Sequence, residues 1–121
     1  MSGVAQAQNS DVDAVRAAGP PVGAICSETA GTHACFEKSG DKFWVKDTKA
    51  DGHYSAMLAS WGPIFQGDMI CRNKSGSDVG WMYCDFSSEI PEHSKVWFRA
   101  DTMEGDGIVS SGGVVWSWSS D

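Results

Sequence analysis

The chain has 121 residues, of which 41% are hydrophobic and 21% are charged, and its formal net charge at pH 7 is -7. This length and this apolar content predict one globular domain. The excess of acidic residues argues against binding to nucleic acid or to anionic membrane surfaces, because both are negatively charged themselves.

Residues 1–22 contain no aromatic side chain and are expected to form an arm that is separate from a single β domain over 23–121. Ala5 and Ala7 flank one residue, as in the small-x-small pattern before a signal-peptidase cleavage site. The start of the chain is therefore interpreted as the remnant of a signal peptide. The composition favours a mobile arm, which is either a disordered leader or a segment that becomes ordered on a partner.

Ser10 and Asp13 have the spacing of a helical capping box, which predicts a short helix over 11–18 within this arm. Gly19 and the two prolines after it would end the helix. Its apolar side chains are small, so the helix would bury little surface and would be marginal on its own.

From Cys26 onward, short runs rich in Val, Trp, Phe, Tyr and Ile alternate with clusters of Gly, Asp, Asn and Ser, which is typical of β-strands and turns. The predicted strands cover 33–38, 42–47, 53–61, 68–74, 79–86, 94–101 and 113–119. About seven strands without an intervening helix predict an all-β fold, either an antiparallel sandwich or a small barrel. Hairpin turns are expected at EKSGDK and NKSGSD, and Gly52 of KADG is expected to take the positive φ of a tight turn.

The four cysteines, an even number in a small chain, predict two disulfides. Cys26, Cys35, Cys71 and Cys84 permit three pairings. The pairing of Cys26 with Cys35 and of Cys71 with Cys84 is favoured, because each pair brackets one turn region. Two disulfides indicate an oxidising compartment, and together with the start of the chain they favour a secreted, extracellular protein. The alternative is a cytosolic protein with four reduced, buried cysteines.

Alternation along three predicted strands separates an apolar face from a face that mixes aromatic and charged residues. The apolar residues expected in the core are Phe43, Val45, Met82, Cys84, Phe86, Val96, Phe98 and Ala100. The opposite faces carry the candidate binding residues Trp44, Lys46, Trp81, Tyr83, Trp97 and Arg99.

Two interpretations of these aromatic and basic faces remain open. In the first, the stems of the Lys and Arg side chains cover the indole rings and make cation–π contacts with them. In the second, the rings form an exposed platform for a ligand or a partner, since Trp and Arg are favoured residues at binding sites.

The last predicted strand has a different pattern, in which Trp116 and Trp118 alternate with Val115 and Ser117. These two tryptophans are predicted to be buried in the core. In the strand over 53–61 both faces are largely apolar, as in a strand that is buried on both sides, so the sequence leaves open which face meets the core.

Motifs that carry catalysis or bind metals are absent from the sequence. It has no G-x-S-x-G, H-E-x-x-H, P-loop or G-x-G-x-x-G, and oxidised cysteines offer no thiolate nucleophile. The stretches KDTKADG and DTMEGDG lack the spacing of a calcium loop, and His33, His53 and His93 have no second histidine at zinc-binding spacing. The protein is therefore predicted not to be an enzyme, with no catalytic residue, no metal and no cofactor.

The string CFEKSGDKFWVKDTKADGHYSAMLASW, followed by CRN and WFRADTMEGDG, is distinctive. Over 26–106 the chain resembles small secreted actinobacterial proteins. In its size, its expected secretion, its β texture and its expected flexible arm over 10–19, the chain is similar to the small adaptor subunit of the secreted actinobacterial umbrella toxin particles. In that family the adaptor joins a lectin-like subunit to the stalked toxin chain, and its N-terminal arm inserts into the lectin-like subunit. The resemblance implies a place in an extracellular antibacterial toxin complex, and it assigns no site residue.

Three functional hypotheses follow from the sequence. The first is a secreted, non-enzymatic adaptor that binds another secreted protein, such as a lectin-like or toxin subunit, through its arm and its aromatic and basic strand faces. The second is a carbohydrate-binding module that uses Trp44, Trp97 or Trp81. The third is a proteinase inhibitor with a rigid loop held by Cys26 and Cys35.

Overall fold

The computed structural model describes the backbone at 11–13 and 15–16 and the whole of 19–119. Its strands are β1 Asp11–Asp13, β2 Val15–Arg16, β3 Ile25–Thr29, β4 Thr32–Glu37, β5 Lys42–Asp47, β6 Tyr54–Trp61, β7 Met69–Asn73, β8 Trp81–Asp85, β9 Lys95–Glu104, β10 Gly107–Ser111 and β11 Val115–Trp118. A 3-10 turn over Ser77–Val79 precedes β8. Within the described residues, no helix is long and apolar enough to cross a membrane.

The strands form two sheets that share one hydrophobic core, so the predicted all-β sandwich is confirmed. One sheet, named sheet A, has the order β2-β8-β5-β4-β3. The other, named sheet B, has the order β1-β7-β6-β9-β10, and β11 also pairs with β9. Among the described pairings, β1 with β7 is parallel and the others are antiparallel.

One side of β9 holds two short strands, because β9 is ten residues long. Its residues 101–104 pair with β10, and its residues 95–98 pair with β11. These two strands therefore lie end to end and form one edge of sheet B, with an interruption between them at 112–114.

The interruption in this edge is where sheet A approaches most closely. The Ser27 hydroxyl of β3 donates to the Gly113 carbonyl at 2.7 Å and accepts from the Ala100 N–H at 3.0 Å. A β-carbon on Gly112 would collide with the Glu28 carbonyl oxygen, so only glycine fits there. The two sheets are thereby joined at this edge by the Ser27 side chain of sheet A, which bonds to backbone groups of sheet B.

Side chains from both sheets fill the core, and the alternation in β5, β8 and β9 is confirmed. The core cluster is formed by Ala34, Phe36, Phe43, Val45, Met57, Ala59, Met69, Cys71, Cys84, Phe86, Ile90, Val96, Phe98 and Ala100. Met82 is also buried, although it lies outside this cluster.

The open question about β6 is answered by Met57 and Ala59, which face the core. On the opposite face, Ala56 and Ser60 are buried as well. There the segment over 62–68 folds back over the sheet, and the Gln66 N–H donates to the Ser60 hydroxyl at 2.9 Å. The strand is thus covered on both sides, which explains why both of its faces are apolar.

Both favoured disulfides are present, and they use all four cysteines. Cys26 and Cys35 are directly opposed on β3 and β4, so this bridge lies within sheet A. Cys71 lies on β7 and Cys84 on β8, so the second bridge joins sheet B to sheet A. Both residues of the second bridge are fully buried.

The predicted helix over 11–18 is wrong at the residues that the structure describes. Residues 11–13 pair with β7 of sheet B, and residues 15–16 pair with β8 of sheet A. The open backbone groups at the edges of β7 and β8 outweigh a weak capping signal, because tertiary pairing overrides local propensity. Residues 1–10, 14 and 17–18 lie outside the described residues, and the interpretation of a signal-peptide remnant falls there; the mobility of the arm stays a prediction.

The predicted turns differ in their outcomes. EKSGDK forms the β4–β5 hairpin, in which Gly40 and Asp41 have φ values of 89° and 51°. Gly52 of KADG has the predicted positive φ, 81°, in the connection from β5 of sheet A to β6 of sheet B. NKSGSD is not a hairpin turn, because β7 and β8 lie in different sheets and this segment crosses between them.

Candidate functional site

The outer face of sheet A collects four of the six predicted binding residues, Trp44, Lys46, Trp81 and Tyr83. The register of β5 and β8 places Trp44 opposite Tyr83 and Lys46 opposite Trp81. We name this surface, together with Lys42, the sheet A aromatic face. Alternation placed each of these residues on the outward face of its own strand, and the sheet order brings the four together on one surface.

Trp44 points away from the core, as predicted, but its surroundings cover it. Its side chain is only 6% exposed. The indole N–H donates to the Glu37 carboxylate at 3.0 Å, and the ring lies 5.2 Å from that of Tyr83. An indole that is this enclosed cannot act as a stacking platform unless its neighbours move.

Neighbouring cations and histidine also contact the other rings of the sheet A aromatic face. The Lys42 ammonium lies 5.3 Å from the centre of the Tyr83 ring, and the Lys46 ammonium lies 5.8 Å from that of Trp81. The His33 ring lies 5.0 Å from that of Trp81. This arrangement matches the first interpretation, in which lysine side chains cover aromatic rings.

Trp97 and Arg99, the other two predicted residues, lie on the outer face of sheet B. The Arg99 guanidinium donates to the fully buried Asp101 carboxylate at 2.9 Å and lies 5.3 Å from the centre of the Phe65 ring. Arg99 therefore compensates a buried charge, which is a structural role. The six predicted residues do not form one site.

Trp97 instead belongs to a second aromatic cluster, with Lys95 of β9 and with Trp116 and Trp118 of β11. We name these four residues the tryptophan edge. The ring of Trp116 lies 6.4 Å from that of Trp97 and 5.5 Å from that of Trp118. The Lys95 ammonium lies 4.9 Å from the Trp97 ring and 4.4 Å from the Trp116 ring. One cation is therefore held between two indoles.

The prediction that Trp116 and Trp118 are core residues is wrong, because their side chains are 42% and 50% exposed. The register of β11 with β9 pairs Trp116 with Trp97 and Trp118 with Lys95, which places both indoles on the outer face. The inward positions belong to Val115 and Ser117, since β3 approaches closely there and leaves room only for smaller side chains.

The edge that carries these tryptophans is apolar and uncharged along its length. Of the nine large hydrophobic side chains that are exposed within 19–119, five lie on it: Ile108, Val109, Val114, Trp116 and Trp118. Residues 107–120 contain no charged side chain, although 21% of the whole chain is charged. This absence of charge was visible in the sequence, and it was the signal that could have identified an exposed edge here.

A groove opens beside this edge, between the start of β3 and β11. It has a volume of about 370 Å³, and its lining includes Ile25, Phe36, Glu37, Lys38 and Ser117. Phe36 also belongs to the core, so the floor of the groove is apolar. Ser117 places the groove next to the tryptophan edge along the same strand.

A larger open depression, of about 750 Å³, lies at the other end of the sandwich, where Asp47, Asp51 and Asp78 are among the lining residues. Asp47 is 4% exposed, and its carboxylate accepts the Lys49 N–H at 3.0 Å. Burial raises the pKa of Asp47 above its usual value; the Lys49 N–H opposes this and the charge of Asp51 adds to it. Asp47 and Asp51 each accept the N–H of the residue two positions later, which accounts for these two carboxylates as turn-stabilising groups.

Asp47→Asn is expected to stabilise the protein at neutral pH. A raised pKa means that the folded state binds the proton more tightly than the unfolded chain, so stability falls as pH rises from about 3.8 through the folded-state pKa. Asparagine keeps an oxygen for the Lys49 N–H and does not ionise. Thermal unfolding from pH 3 to pH 8 should show a difference in stability between the variant and the wild type that grows with pH. A difference that is constant with pH would contradict this account.

Cys26, His33 and Cys35 place possible metal-ligating atoms within 4.8 Å of one another on the outer face of sheet A. Both sulfurs are consumed by the disulfide, and a thiolate is the form that binds metals. The oxidised protein therefore has no metal site at this cluster.

The chain matches no family model, no curated protein and no solved structure.

Proposed function

We propose that the protein is a secreted, non-enzymatic interaction module that binds another secreted protein through the tryptophan edge. The observation that carries this proposal is the pair of exposed indoles, Trp116 and Trp118, on an edge strand without charged residues. Trp is among the residues that contribute most to protein–protein binding, and exposed apolar patches mark interaction sites. The two disulfides support the extracellular setting.

The shape of the tryptophan edge favours a protein over a polysaccharide as the ligand. The rings of Trp116 and Trp118 are perpendicular, at 89°, and those of Trp97 and Trp116 are inclined at 45°. Stacking on successive sugar rings of a straight chain is best served by coplanar indoles. The aliphatic Ile108 and Val114 and the groove over Phe36 instead offer the uneven apolar contacts that fit protein side chains.

The resemblance to the adaptor of the actinobacterial umbrella toxin particles gives this proposal its most specific form. In that form the protein is a subunit of an extracellular antibacterial complex, and its partner is a lectin-like or toxin subunit. The tryptophan edge lies at the far side of sheet B from β1, so it supplies a contact surface distinct from the N-terminal arm.

Carbohydrate binding remains the second candidate, because Trp116 and Trp118 are accessible. The inhibitor hypothesis has less support than carbohydrate binding, because it needs an exposed loop at the hairpin that Cys26 and Cys35 hold together. That hairpin ends at Ala30 and Gly31, and the Ala30 carbonyl accepts the Thr102 hydroxyl at 2.6 Å. The turn is therefore packed against sheet B and does not project as an inhibitory loop.

Affinity purification of the tagged protein from the culture medium of its native host tests this proposal. A protein that co-purifies in a fixed ratio to the chain is the expected result. Recovery of the chain alone, or retention on polysaccharide without a protein partner, would contradict a protein-binding role. A glycan array with the same protein separates the two candidates, and no binding to the array is expected.

A further inference from the structure

We propose that the edge of sheet B formed by β11 pairs with the same strand of a second copy of this chain, in antiparallel orientation about a two-fold axis. The proposal goes beyond the partner binding described above, because it concerns the backbone edge of β11 and requires no other protein. Three features of the described residues support it: the direction of the backbone groups, the absence of charge and the absence of a bulge in β11.

Backbone groups of β11 alternate between β9 and the outside. The Gly112 N–H donates to the Ala100 carbonyl, and the Ser119 N–H donates to the Ser94 carbonyl. The backbone groups of the even-numbered residues of β9 therefore point towards β11. In β11 the residues opposite even positions are Val115 and Ser117. The N–H and carbonyl groups of Trp116 and Trp118, and the carbonyl of Val114 just before β11, therefore point away from β9 and can pair with another strand. The Trp118 carbonyl also accepts the Ser117 hydroxyl of its own strand at 3.1 Å.

Charge favours self-pairing at this edge over the other described edges. An antiparallel pair about a two-fold axis places each strand against its own copy, so a charged residue meets a like charge nearby. Glu28 lies on the β3 edge, Arg16 on the β2 edge and two aspartates on the β1 edge. β11 carries no charged residue, so pairing it with its own copy places no like charges directly opposite one another. The charge that each chain brings to this face is the Lys95 ammonium of β9, which is held between the Trp97 and Trp116 rings.

Three features that often protect an edge strand are absent from β11, although the strand is short. Edges are usually blocked by lysine, proline or a β-bulge. β10 has an irregularity between Ile108 and Ser110, whereas the register of β11 with β9 is continuous. The pairing is therefore expected through β11 and not through β10.

The register that uses all three outward-facing residues places Trp116 opposite its own copy and Val114 opposite Trp118. Both copies of Trp116 then lie on the same outer face, where cross-strand aromatic pairs are favourable. The tryptophan edges of the two chains would become one continuous surface. A strand of four residues gives a small interface, so a dimer that forms with increasing concentration is expected.

Sedimentation velocity of the purified protein over a range from micromolar to millimolar concentration tests the proposal. The wild type is expected to shift towards twice the mass of one chain, whereas Trp116→Lys and Val114→Lys are expected to remain monomeric over the same range. Ile108→Lys is the matched control, because it adds the same charge at a residue of β10 with 47% exposure, and it should dimerise like the wild type.

A monomeric wild type at every concentration would overturn the proposal, and so would dimers of both Trp116→Lys and Val114→Lys. If the lysine variants fail to fold, amide hydrogen exchange of the wild type decides: the N–H groups of Trp116 and Trp118 should become protected as concentration rises, and unchanged exchange would overturn the pairing. These measurements contain no other protein, so a monomer that still captures a secreted partner would reject the dimer and leave the proposed function in place.

Discussion

Replacing both Cys71 and Cys84 with alanine is expected to lower the free energy of unfolding by about 3–5 kcal/mol. Loop closure alone accounts for roughly 3 kcal/mol at this separation of 13 residues. The remainder arises because both cysteines are fully buried in the shared core, where the removed sulfurs would leave a cavity. Urea denaturation of the oxidised wild type and of the double variant measures the difference.

The second disulfide supplies a matched control for this prediction. The Cys26–Cys35 bridge spans 9 residues, so its loop-closure contribution is also close to 3 kcal/mol. It lies on the outer face of sheet A between strands that are already paired, and Cys26 is partly exposed. Its removal should therefore cost less than removal of the bridge between the sheets. If the Cys26→Ala and Cys35→Ala double variant loses as much free energy of unfolding as the Cys71→Ala and Cys84→Ala variant, or more, burial of the Cys71–Cys84 bridge in the core adds no stability.

Trp116→Ser and Trp118→Ser are each expected to weaken binding of the co-purifying protein by about 2 kcal/mol or more, which is roughly 30-fold in the dissociation constant. Both indoles are accessible in the isolated chain, so a partner can bury them without rearranging the fold. Their loss should change the free energy of unfolding by less than about 1 kcal/mol, since only an exposed cation–π contact and ring contacts are removed. Isothermal titration calorimetry and thermal unfolding measure the two quantities separately.

Trp61→Ser is the control for the tryptophan variants. Trp61 is 47% exposed, similar to the other two, but it faces the side of sheet B opposite to the tryptophan edge. It should bind the co-purifying protein with wild-type affinity. An equal loss of binding in all three variants would indicate a general effect of removing surface tryptophan and would count against the tryptophan edge.

The strands with strong alternation could be predicted from the sequence with little error. β5 occupies the predicted residues. Its apolar Phe43 and Val45 alternate with residues of the outer face, and both lie in the core as this pattern predicted. β3 and β10 were missed, since ICSET and GIVSS are short and lack an alternating apolar pattern. They are strands because hydrogen bonding to β4 and β9 holds them, which is a tertiary effect.

The candidate site was the harder part to predict, because the positions of tryptophans depend on which strands are neighbours. Alternation placed Trp97 outside the core but gave no indication that Trp116 lies opposite it on β11. In the last strand, alternation correctly separated the tryptophans from Val115 and Ser117 but assigned the wrong group to the core. Larger apolar side chains are normally inside, yet the close approach of Ser27 to Gly113 excludes them there.

For Trp44 the sequence predicted the correct face of the strand but not the accessibility of the side chain. Its flanking lysines indicated an outer face, which is where it lies, but they did not indicate that Glu37 and Tyr83 would cover it. Lys42 and Lys46 contact Tyr83 and Trp81 across the strand and not the tryptophan between them. Side-chain periodicity thus identifies a face, whereas cross-strand register decides whether a residue on it is accessible.

The most direct test of the tryptophan edge as the functional surface compares two double variants in the same capture from native culture medium. One carries Trp116→Ser and Trp118→Ser, and the other carries Trp81→Ser and Tyr83→Ser on the sheet A aromatic face. With both variants shown to be folded by thermal unfolding, we predict that the first loses the co-purifying protein and the second retains it. Retention by the first and loss by the second would contradict the account and would assign the contact to the sheet A aromatic face.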